Sequence, residues 1–413
     1  MSKPINASVL HAAAQRFGTP VHVYDAALIK ERIRSLNAFD TVRFAQKACS
    51  NIHLQRLMRE QGVKVDAVSG GEIERALRAG FDGKGDSSGV VYTADILDRA
   101  TLERVLELDI PVNAGSIDML EQIGSRKRGH RVWLRINPGF GHGHSRKTNT
   151  GGDLSKHGIW HEFLPQALAA IDQYGLDLVG LHMHIGSGAD FEHLSQVCDA
   201  MVEIVKKAAR PLRAISAGGG LPIPYVTGGE HVDVDKYFKL WDEARKRVEA
   251  IVGNKVHLEI EPGRYLVAES GKMVAEVRSV KAQADNAFVL VDMGFSDLVR
   301  PSMYGSWHEI SVLGADGQEK TGSVKPFVVA GPLCESGDVF TQEEGGLVVT
   351  RDIPTPAIGD YLVFHDTGAY GATMSSNYNS RPYAPEVLVE DGKLRQIRRR
   401  QTMDELLVLE EEA

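Results

Sequence analysis

The feature that most constrains the fold of this chain is a regular alternation of short apolar segments with helical segments between residues 43 and 261. The strand candidates are 43–48, 63–69, 89–94, 110–115, 131–137, 178–185, 212–217 and 256–261, and the helical candidates between them are 53–61, 71–79, 98–108, 117–123, 162–174, 191–209 and 234–251. Nearly continuous apolar strands that alternate with helices are typical of a parallel sheet covered by helices, and eight of them predict an α/β fold of the (β/α)8 TIM-barrel type. An open doubly wound sheet is the alternative, but the Gly-rich phosphate-binding motif expected after its first strand is missing.

The pattern changes after Gly271, where strand candidates follow one another with little helix between them. They are 273–279, 287–292, 325–330, 347–351, 361–365 and 386–390. Strands separated by Gly- and Pro-containing turns predict a C-terminal β-domain of the sandwich or barrel-like kind. An earlier strand candidate, 21–24, is a possible member of the same domain. We therefore expect a barrel domain over 25–272 and a β-domain made of 1–24 and 273–413.

Charge and cysteine content exclude several classes of function. The 413 residues carry a net charge of -8 and no basic run beyond 398–400, which argues against nucleic-acid binding. The three cysteines (Cys49, Cys198 and Cys334) lack the spacing of a disulfide scaffold or a metal site, and they predict a protein of the reducing cytoplasm. Because no apolar run approaches the length of a membrane span, we expect no membrane partner.

Lys47 ends the first predicted barrel strand. Ligands bind at the carboxyl ends of barrel strands, so this amine would face a binding site. A surface lysine is the commoner explanation for a single Lys at such a position. The alternative is a lysine that forms a Schiff base with a pyridoxal cofactor, and the neighbouring strand ends decide between the two.

Glycine clusters end the seventh and eighth predicted strands. Gly218, Gly219 and Gly220 follow the seventh strand, and Gly263 with Arg264 follows the eighth. Glycine lets backbone N–H groups approach an anion closely, and these two loops are the usual phosphate-binding loops of a barrel. Tight turns alone would explain one cluster, but two adjacent clusters favour a phosphate site.

His182 and His184 lie two residues apart on the sixth predicted strand, so their side chains should point to the same face. Such a pair could bind zinc, could place one imidazole against a cofactor ring, or could be two hydrogen-bonded interior histidines. Zinc would need further ligands, for which His142 and His144 in a loop are the obvious candidates. We expect no metal here.

Glu261 ends the eighth predicted strand. A carboxylate beside the ring nitrogen of pyridoxal keeps that nitrogen protonated, which the chemistry of the cofactor requires. With Lys47 for the aldehyde, glycines for the phosphate and His184 for the ring face, Glu261 completes a set of groups that suits pyridoxal 5'-phosphate.

The predicted β-domain contributes a second group of candidates. Cys334, Glu335 and Asp338 lie in one short segment whose polar neighbours suit a proton donor better than a buried thiol. Tyr370 lies among small residues, and Arg300 with Tyr304 could bind a carboxylate.

At these residues the sequence resembles the fold-type III pyridoxal-phosphate-dependent decarboxylases. The matching segments run in family order and are 44–48 (FAQKA), 66–72, 180–188 (GLHMHIGSG), 218–220, 261–264, 300–304, 331–340 (GPLCESGDVF) and 368–382 (GAYGATMSSNYNSRP). The turn at 375–382 and the 300–304 segment resemble those members that act on diaminopimelate. One departure is His157, where the family often has Phe.

The resemblance implies an alanine-racemase-like barrel, a homodimer with shared active sites, and a role for each matching residue. Lys47 and Cys334 would be catalytic, with Lys47 holding the cofactor and Cys334 protonating the substrate carbon. The implied cofactor-binding residues are Lys47, His184, Ser187, Gly220, Glu261, Gly263, Arg264 and Tyr370. The implied substrate-binding residues are Arg264, Arg300, Tyr304, Glu335 and Tyr370.

The reaction that the resemblance implies is decarboxylation of meso-2,6-diaminopimelate to L-lysine and CO2, the last step of lysine biosynthesis. Arg300 would bind the far carboxylate of the substrate and Glu335 the far amine. Two other functions remain open at this point. One is decarboxylation of another basic amino acid, such as ornithine, lysine or carboxynorspermidine. The other is non-catalytic binding of pyridoxal phosphate, which would not need the thiol and carboxylates of the β-domain.

Overall fold

The computed structural model describes residues 5–83, 88–141, 151–184, 186 and 190–411. Contacts divide the chain into two compact units. The barrel unit comprises Ile33–Pro222 and His231–Gly263, and the sheet unit comprises Met1–Arg32, Ile223–Glu230 and Arg264–Ala413. Of the helices within the described ranges, none is long and apolar enough to cross a membrane.

Strands and helices are numbered along the chain. The strands are β1 (Val21–Asp25), β2 (Thr41–Ala45), β3 (Lys64–Ala67), β4 (Val90–Ala94), β5 (Val112–Ala114), β6 (Arg131–Asn137), β7 (Ile159–Trp160), β8 (Asp177–His182), β9 (Ala214–Ser216), β10 (His257–Ile260), β11 (Gly271–Gln283), β12 (Asn286–Val291), β13 (Ile310–Leu313), β14 (Val324–Ala330), β15 (Arg351–Pro354), β16 (Tyr361–His365), β17 (Glu386–Glu390) and β18 (Lys393–Arg398). The helices are α1 (Ala7–Phe17), α2 (Ala26–Arg34), α3 (Ile52–Glu60), α4 (Gly70–Arg78), α5 (Arg99–Leu108), α6 (Ile117–Gly124), α7 (Leu164–Tyr174), α8 (Phe191–Ala208), α9 (Val234–Val252), α10 (Arg264–Val267), α11 (Arg300–Tyr304) and α12 (Met403–Glu411).

The barrel unit is a closed parallel sheet. Its strands pair in the order β2, β3, β4, β5, β6, β8, β9 and β10. Strand β10 returns to β2, with Glu259 opposite Thr41 and Ile260 opposite Val42. The closure confirms the predicted barrel and shows that the open doubly wound sheet was the wrong alternative. Strand β7, which was not predicted, pairs with the end of β6.

Local sequence explains where the barrel helices begin. Ser69, Asp98 and Ser116 each cap a helix by accepting a hydrogen bond from a backbone N–H in the first turn. Along α8, Leu194, Val197 and other apolar residues at helical spacing are buried. The strands are buried on both faces, and all seven residues of β6 are buried. The predicted helices therefore lie where expected, with differences of one or two residues at their ends.

The sheet unit is a largely antiparallel sheet with β11 at its centre. Strand β11 pairs with β1, β12 and β16, and β1 also pairs in parallel with β17. Strand β1 is thus a member of this sheet, with Val21 opposite Val274. A buried core cluster of the unit includes Val289, Phe327 and Phe364. The mostly-sheet architecture confirms the predicted fold class of the second domain.

One predicted strand of this unit, 347–351, is wrong. The strand is β15, which begins at Arg351, because a turn with positive φ at Gly345 and Gly346 precedes it and Leu347 is 63% exposed. Ile353 of β15 is the residue that reaches the core. Strands β13 and β18 were not predicted.

Candidate active site

Lys47 follows the end of β2 in the barrel unit. The strand ends at Ala45, three residues before the predicted end at residue 48, and Lys47 lies in a short 3-10 turn, Gln46–Ala48. The backbone N–H of Ala45 donates to the carbonyl oxygen of Pro262 at 3.2 Å, which places this turn beside the end of β10. Gln46 and Ala48 are buried, whereas the Lys47 side chain is exposed. The amine therefore projects from a fixed turn at the carboxyl end of the barrel.

Glu261 follows β10 and is buried in the same end of the barrel. Its Oε2 lies 2.8 Å from Nε2 of His182, and its backbone N–H donates to the carbonyl oxygen of Gly218 at 2.7 Å. Burial by itself would raise the pKa of this carboxyl, but the interaction and hydrogen bond with His182, together with the charges of Arg43 and Arg135, outweigh burial and lower the pKa below its usual value. Glu261 is therefore an ionised carboxylate at neutral pH.

Two more carboxyl groups interact with Lys47, and the sequence had given neither of them a role. Asp66 is the next-to-last residue of β3, and burial together with the nearby charge of Glu261 raises its pKa well above the usual value. Its Oδ1 has no hydrogen-bond partner among the described residues. Glu72 accepts a hydrogen bond from the backbone N–H of Val68 at 2.8 Å, and burial raises its pKa. The Lys47 charge opposes both of these rises.

The glycine turn after β9 packs directly against His184. Gly218 has φ +62°, and a Cβ there would lie 2.4 Å from the carbonyl oxygen of Met183. A Cβ on Gly219 would lie 2.4 Å from the carbonyl oxygen of Glu261. The N–H of Gly219 donates to Nδ1 of His184 at 3.1 Å. These glycines are required by close backbone packing, and this packing brings the turn next to Glu261 and His184.

His182 and His184 do not both lie on a strand. Strand β8 ends at His182, so the expectation that His184 belongs to the same strand was wrong. His182 contacts Glu261, whereas His184 contacts the glycine turn. Burial, followed by the charges of Arg135 and Lys47, lowers the pKa of His184 well below its usual value, so the imidazole is neutral.

The metal alternative finds no support in the described part of the chain. Within residues 5–83, 88–141, 151–184, 186 and 190–411, no group of three or more His, Cys, Asp or Glu side chains is arranged to hold a metal ion. His142 and His144, which the zinc hypothesis needed, lie outside the described residues. Ser187, a predicted phosphate ligand, also lies outside them.

His157, where the resemblance fails, forms a pair with Asp95. Its Nδ1 makes a short hydrogen bond to Oδ2 of Asp95, which follows β4, and Oδ1 of Asp95 accepts from the N–H of Gly158 at 3.0 Å. Burial would raise the pKa of Asp95, but the hydrogen bond to His157 and the charge of Arg135 lower it. The unusual histidine therefore holds its loop against the end of β4.

Two predicted substrate residues of the sheet unit, Arg264 and Arg300, contact Tyr225. Nη1 of Arg264 donates to the Tyr225 hydroxyl at 2.8 Å, and the Arg264 guanidinium carbon lies 5.3 Å from the Tyr370 ring centroid. The guanidinium carbon of Arg300 lies 4.7 Å from the Tyr225 ring centroid, a cation–π distance. Tyr304, the last residue of α11, contributes to the electrostatic environment of Arg264. Sequence reasoning missed Tyr225, because nothing in its local pattern distinguishes it.

Cys334 and Glu335 lie on the surface of the sheet unit, in a loop held by buried contacts. Asp338 is 3% exposed and accepts hydrogen bonds from the N–H groups of Leu333 at 2.8 Å and Phe295 at 2.7 Å. The N–H of Cys334 donates to Oδ1 of Asn379 at 2.9 Å. The two predicted motifs at 331–340 and 368–382 therefore meet, with the Cys334 and Glu335 side chains exposed and Asp338 turned inward.

Comparison with known proteins places these features in a family. Residues 26–268 match the model for the pyridoxal binding domain of the pyridoxal-dependent decarboxylases. The diaminopimelate decarboxylase of Escherichia coli strain K12 is 63% identical over 95% of this chain and 94% of its own length. That of Streptomyces coelicolor is 61% identical over 97% of this chain and 91% of its own length.

Solved structures agree with these relatives. A diaminopimelate decarboxylase crystal structure superposes with a TM-score of 0.96 at 62% identity, covering 98% of this chain and 96% of that one. The Helicobacter pylori enzyme complexed with L-lysine superposes with a TM-score of 0.87 at 30% identity, covering 98% and 99%. A lysine/ornithine decarboxylase from Vibrio vulnificus, at 19% identity and a TM-score of 0.78 over 93% of this chain and 98% of that one, shares the fold.

Proposed function

This chain belongs to the pyridoxal-dependent decarboxylases, and within them to the diaminopimelate decarboxylases, and from that premise we propose how its own residues carry out the reaction. The reaction removes one carboxylate of meso-2,6-diaminopimelate to give L-lysine and CO2, with pyridoxal 5'-phosphate as cofactor. The observation that carries this function is 61–63% identity to diaminopimelate decarboxylases over nearly the whole chain.

The described residues of the barrel unit suit the cofactor. Exposed Lys47 and the buried, ionised carboxylate of Glu261 both lie at the carboxyl ends of the barrel strands. Beside Glu261, the turn at Gly218 and Gly219 has no room for side chains. When bound, pyridoxal phosphate supplies the electron sink for decarboxylation. Lys47 would anchor it covalently, Glu261 would stabilise the proton on its ring nitrogen, and the neutral His184 would lie against the ring. The phosphate would be bound by Ser187, Gly220, Gly263, Arg264 and Tyr370.

Substrate recognition depends on two arginines of the sheet unit, Arg264 and Arg300. We propose that Arg300 binds the far carboxylate of diaminopimelate and that Glu335 binds the far amine. Arg264, Tyr304 and Tyr370 would make further substrate contacts. Arg300 is 5% exposed, so a substrate without the far carboxylate would leave a buried guanidinium without that partner, which is costly. Ornithine, and lysine bound through its α-amine, would be rejected for this reason.

Cys334 would return the proton that the reaction consumes. Its Sγ is exposed on a loop fixed by Asp338 and Asn379, so the thiol is accessible and well positioned.

We propose that the protein is a homodimer in which Cys334 and Glu335 of one subunit serve the barrel of its partner. We also propose that residues 25–272 form the cofactor-binding domain, and that the enzyme works in the cytoplasm, where its three thiols would stay reduced.

The function is tested by loading the purified protein with pyridoxal 5'-phosphate and adding meso-diaminopimelate. Equal amounts of CO2 and L-lysine are the expected products. Ornithine, lysine and carboxynorspermidine tested in parallel should release little CO2. Faster turnover of any of these three would make the protein a decarboxylase of another basic amino acid. Binding of the cofactor without release of CO2 from any of the four would make it a non-catalytic binding protein.

A further inference from the structure

His308 contacts Arg300 and has no role in the function proposed so far. It precedes β13 in the sheet unit, and its side chain is buried. Its Nε2 lies 3.0 Å from Nη1 of Arg300, and its Nδ1 lies 2.8 Å from the carbonyl oxygen of His365. The imidazole therefore bridges the proposed substrate guanidinium and the backbone at the end of β16.

These two contacts allow one protonation state. A guanidinium only donates hydrogen bonds, so Nε2 of His308 must be the acceptor and carry no proton. A carbonyl oxygen only accepts, so Nδ1 must carry the proton. His308 is thus a neutral imidazole with a fixed tautomer. Burial, with the charge of Arg300 as the second cause, lowers its pKa to about 3, in agreement with this assignment.

A neutral partner does not itself compensate the charge of Arg300. Buried arginines are usually paired with carboxylates, which would neutralise them. Over the described ranges no ion pair joins Arg300 to a carboxylate, and the aromatic ring of Tyr225 covers its guanidinium at 4.7 Å. Arg300 is therefore held in place without losing its attraction for an anion.

The segment around His308 is itself fixed. Nη1 of Arg351 donates to the carbonyl oxygen of His308 at 3.0 Å, and the Arg351 guanidinium carbon lies 3.1 Å from the Trp307 ring centroid. The indole N–H of Trp307 donates to Oε2 of Glu309 at 2.9 Å. These contacts fix the segment that precedes β13 and with it the imidazole of His308. A group that orients another side chain needs such support.

We propose that His308 is a positioning residue that orients Arg300 toward the carboxylate that the substrate keeps, while leaving the guanidinium charge free to bind it. This inference rests on the proposed function. One carboxylate of diaminopimelate leaves as CO2, and the other remains in the product, so L-lysine retains the group that Arg300 would bind. Cadaverine, which is lysine without its carboxylate, is the matched ligand that lacks this group.

Two substitutions separate the two hydrogen bonds of the imidazole. His308→Asn places an amide N–H near the position of Nδ1, so it keeps the bond to His365 and loses the acceptor for Arg300. His308→Gln places an amide oxygen near the position of Nε2, so it keeps the acceptor. In the holoenzyme, Asn should raise the KM for meso-diaminopimelate and the inhibition constant of L-lysine about tenfold, with kcat and the inhibition constant of cadaverine little changed. Gln should restore both constants to within about threefold of the unsubstituted enzyme.

A third substitution tests the charge. His308→Glu offers Arg300 a good acceptor but neutralises it, so L-lysine should lose its preference over cadaverine even though Arg300 remains held. A purely structural role predicts that Glu performs as well as Gln, and that result would overturn the proposal. Constants for Asn equal to those of the unsubstituted enzyme would also overturn it. The comparison of Glu with Gln decides the question if the Asn variant does not fold. If the unsubstituted holoenzyme does not convert diaminopimelate, the proposed function fails instead.

Discussion

The imidazole Nε2 of His182 lies 2.8 Å from Oε2 of Glu261, and both side chains are buried inside the barrel. The two residues are 79 positions apart in the chain. This contact opposes the effect of burial on the glutamate and keeps its pKa below the usual value. His182, which was a candidate zinc ligand in the sequence, therefore supports the carboxylate that would face the cofactor ring.

Glu261→Gln should slow decarboxylation without preventing cofactor binding. The amide keeps the size of the side chain but removes the negative charge that would stabilise a protonated ring nitrogen. We expect kcat to fall by about 100-fold or more, with Lys47 still retaining the cofactor. Turnover and the absorption band of bound cofactor measure the two effects separately. An unchanged kcat would contradict this role for Glu261.

Lys47→Ala should abolish the absorption band of lysine-bound cofactor together with activity, because no other residue is proposed to bind the aldehyde covalently. Lys255→Ala is the matched control, since the Lys255 side chain is 94% exposed. Spectra recorded after gel filtration of cofactor-loaded protein test this. A variant without Lys47 that keeps the band would show that another amine anchors the cofactor.

Arg300→Ala should reduce kcat/KM for meso-diaminopimelate by roughly 100-fold, because a hydrogen-bonded charge contact to the substrate is lost. Cofactor affinity should change far less. Arg278→Ala, at a side chain that is 61% exposed, serves as the control. Steady-state kinetics and cofactor titration give the two quantities, and an equal loss in both would argue against a substrate role.

Mixing two inactive variants should restore activity if active sites are shared between subunits. Lys47→Ala removes the barrel amine, and Cys334→Ala removes the thiol proposed to serve the partner. A randomly mixed dimer population should recover about a quarter of normal activity, because a mixed dimer has one intact site. Each variant mixed with itself is the control. Recovery no greater than the sum of the separate variants would contradict shared sites.

Asp297→Asn should stabilise the protein above pH 6. Burial raises the pKa of Asp297 to about 6, so between about pH 4 and 6 the folded state holds a proton that the unfolded chain has released. The free energy of unfolding then falls with rising pH over this range and stays lower above it. The amide of Asn does not ionise, so the variant avoids this decrease in the free energy of unfolding. The decrease is on the order of 3 kcal/mol at most.

Chemical denaturation of the two proteins between pH 4 and 8 measures this difference. The stability curves of Asp297→Asn and the unsubstituted protein should separate as pH rises to 6 and run parallel above it. Asp285→Asn, in the exposed turn between β11 and β12, should leave the curve unchanged. Curves for Asp297→Asn that stay parallel from pH 4 would contradict the raised pKa.

Local patterns in the sequence were enough for the fold class and for much of the candidate site. The alternation of apolar strands and amphipathic helices predicted the barrel. The spacing of apolar residues that distinguishes a strand from a helix can be recognised within a short stretch of sequence. Lys47, Glu261 and the glycines after β9 were found because chemistry in a barrel gathers at strand ends. Polar neighbours had already marked Cys334, Arg300 and Tyr304 as candidates, and the resemblance to known decarboxylases implied a role for each.

Contacts between distant segments were decided by tertiary structure alone. The pairing of His182 with Glu261, the grouping of Arg300 with Tyr225 and His308, and the inward turn of Asp338 all depend on how separate elements pack. The charge states of these groups depend on the same packing, because burial and nearby charges set a pKa and neither is encoded by neighbouring residues. The sequence by itself determined which chemical groups stand at the ends of the strands, and only the folded chain decided which of them meet and in what state of charge.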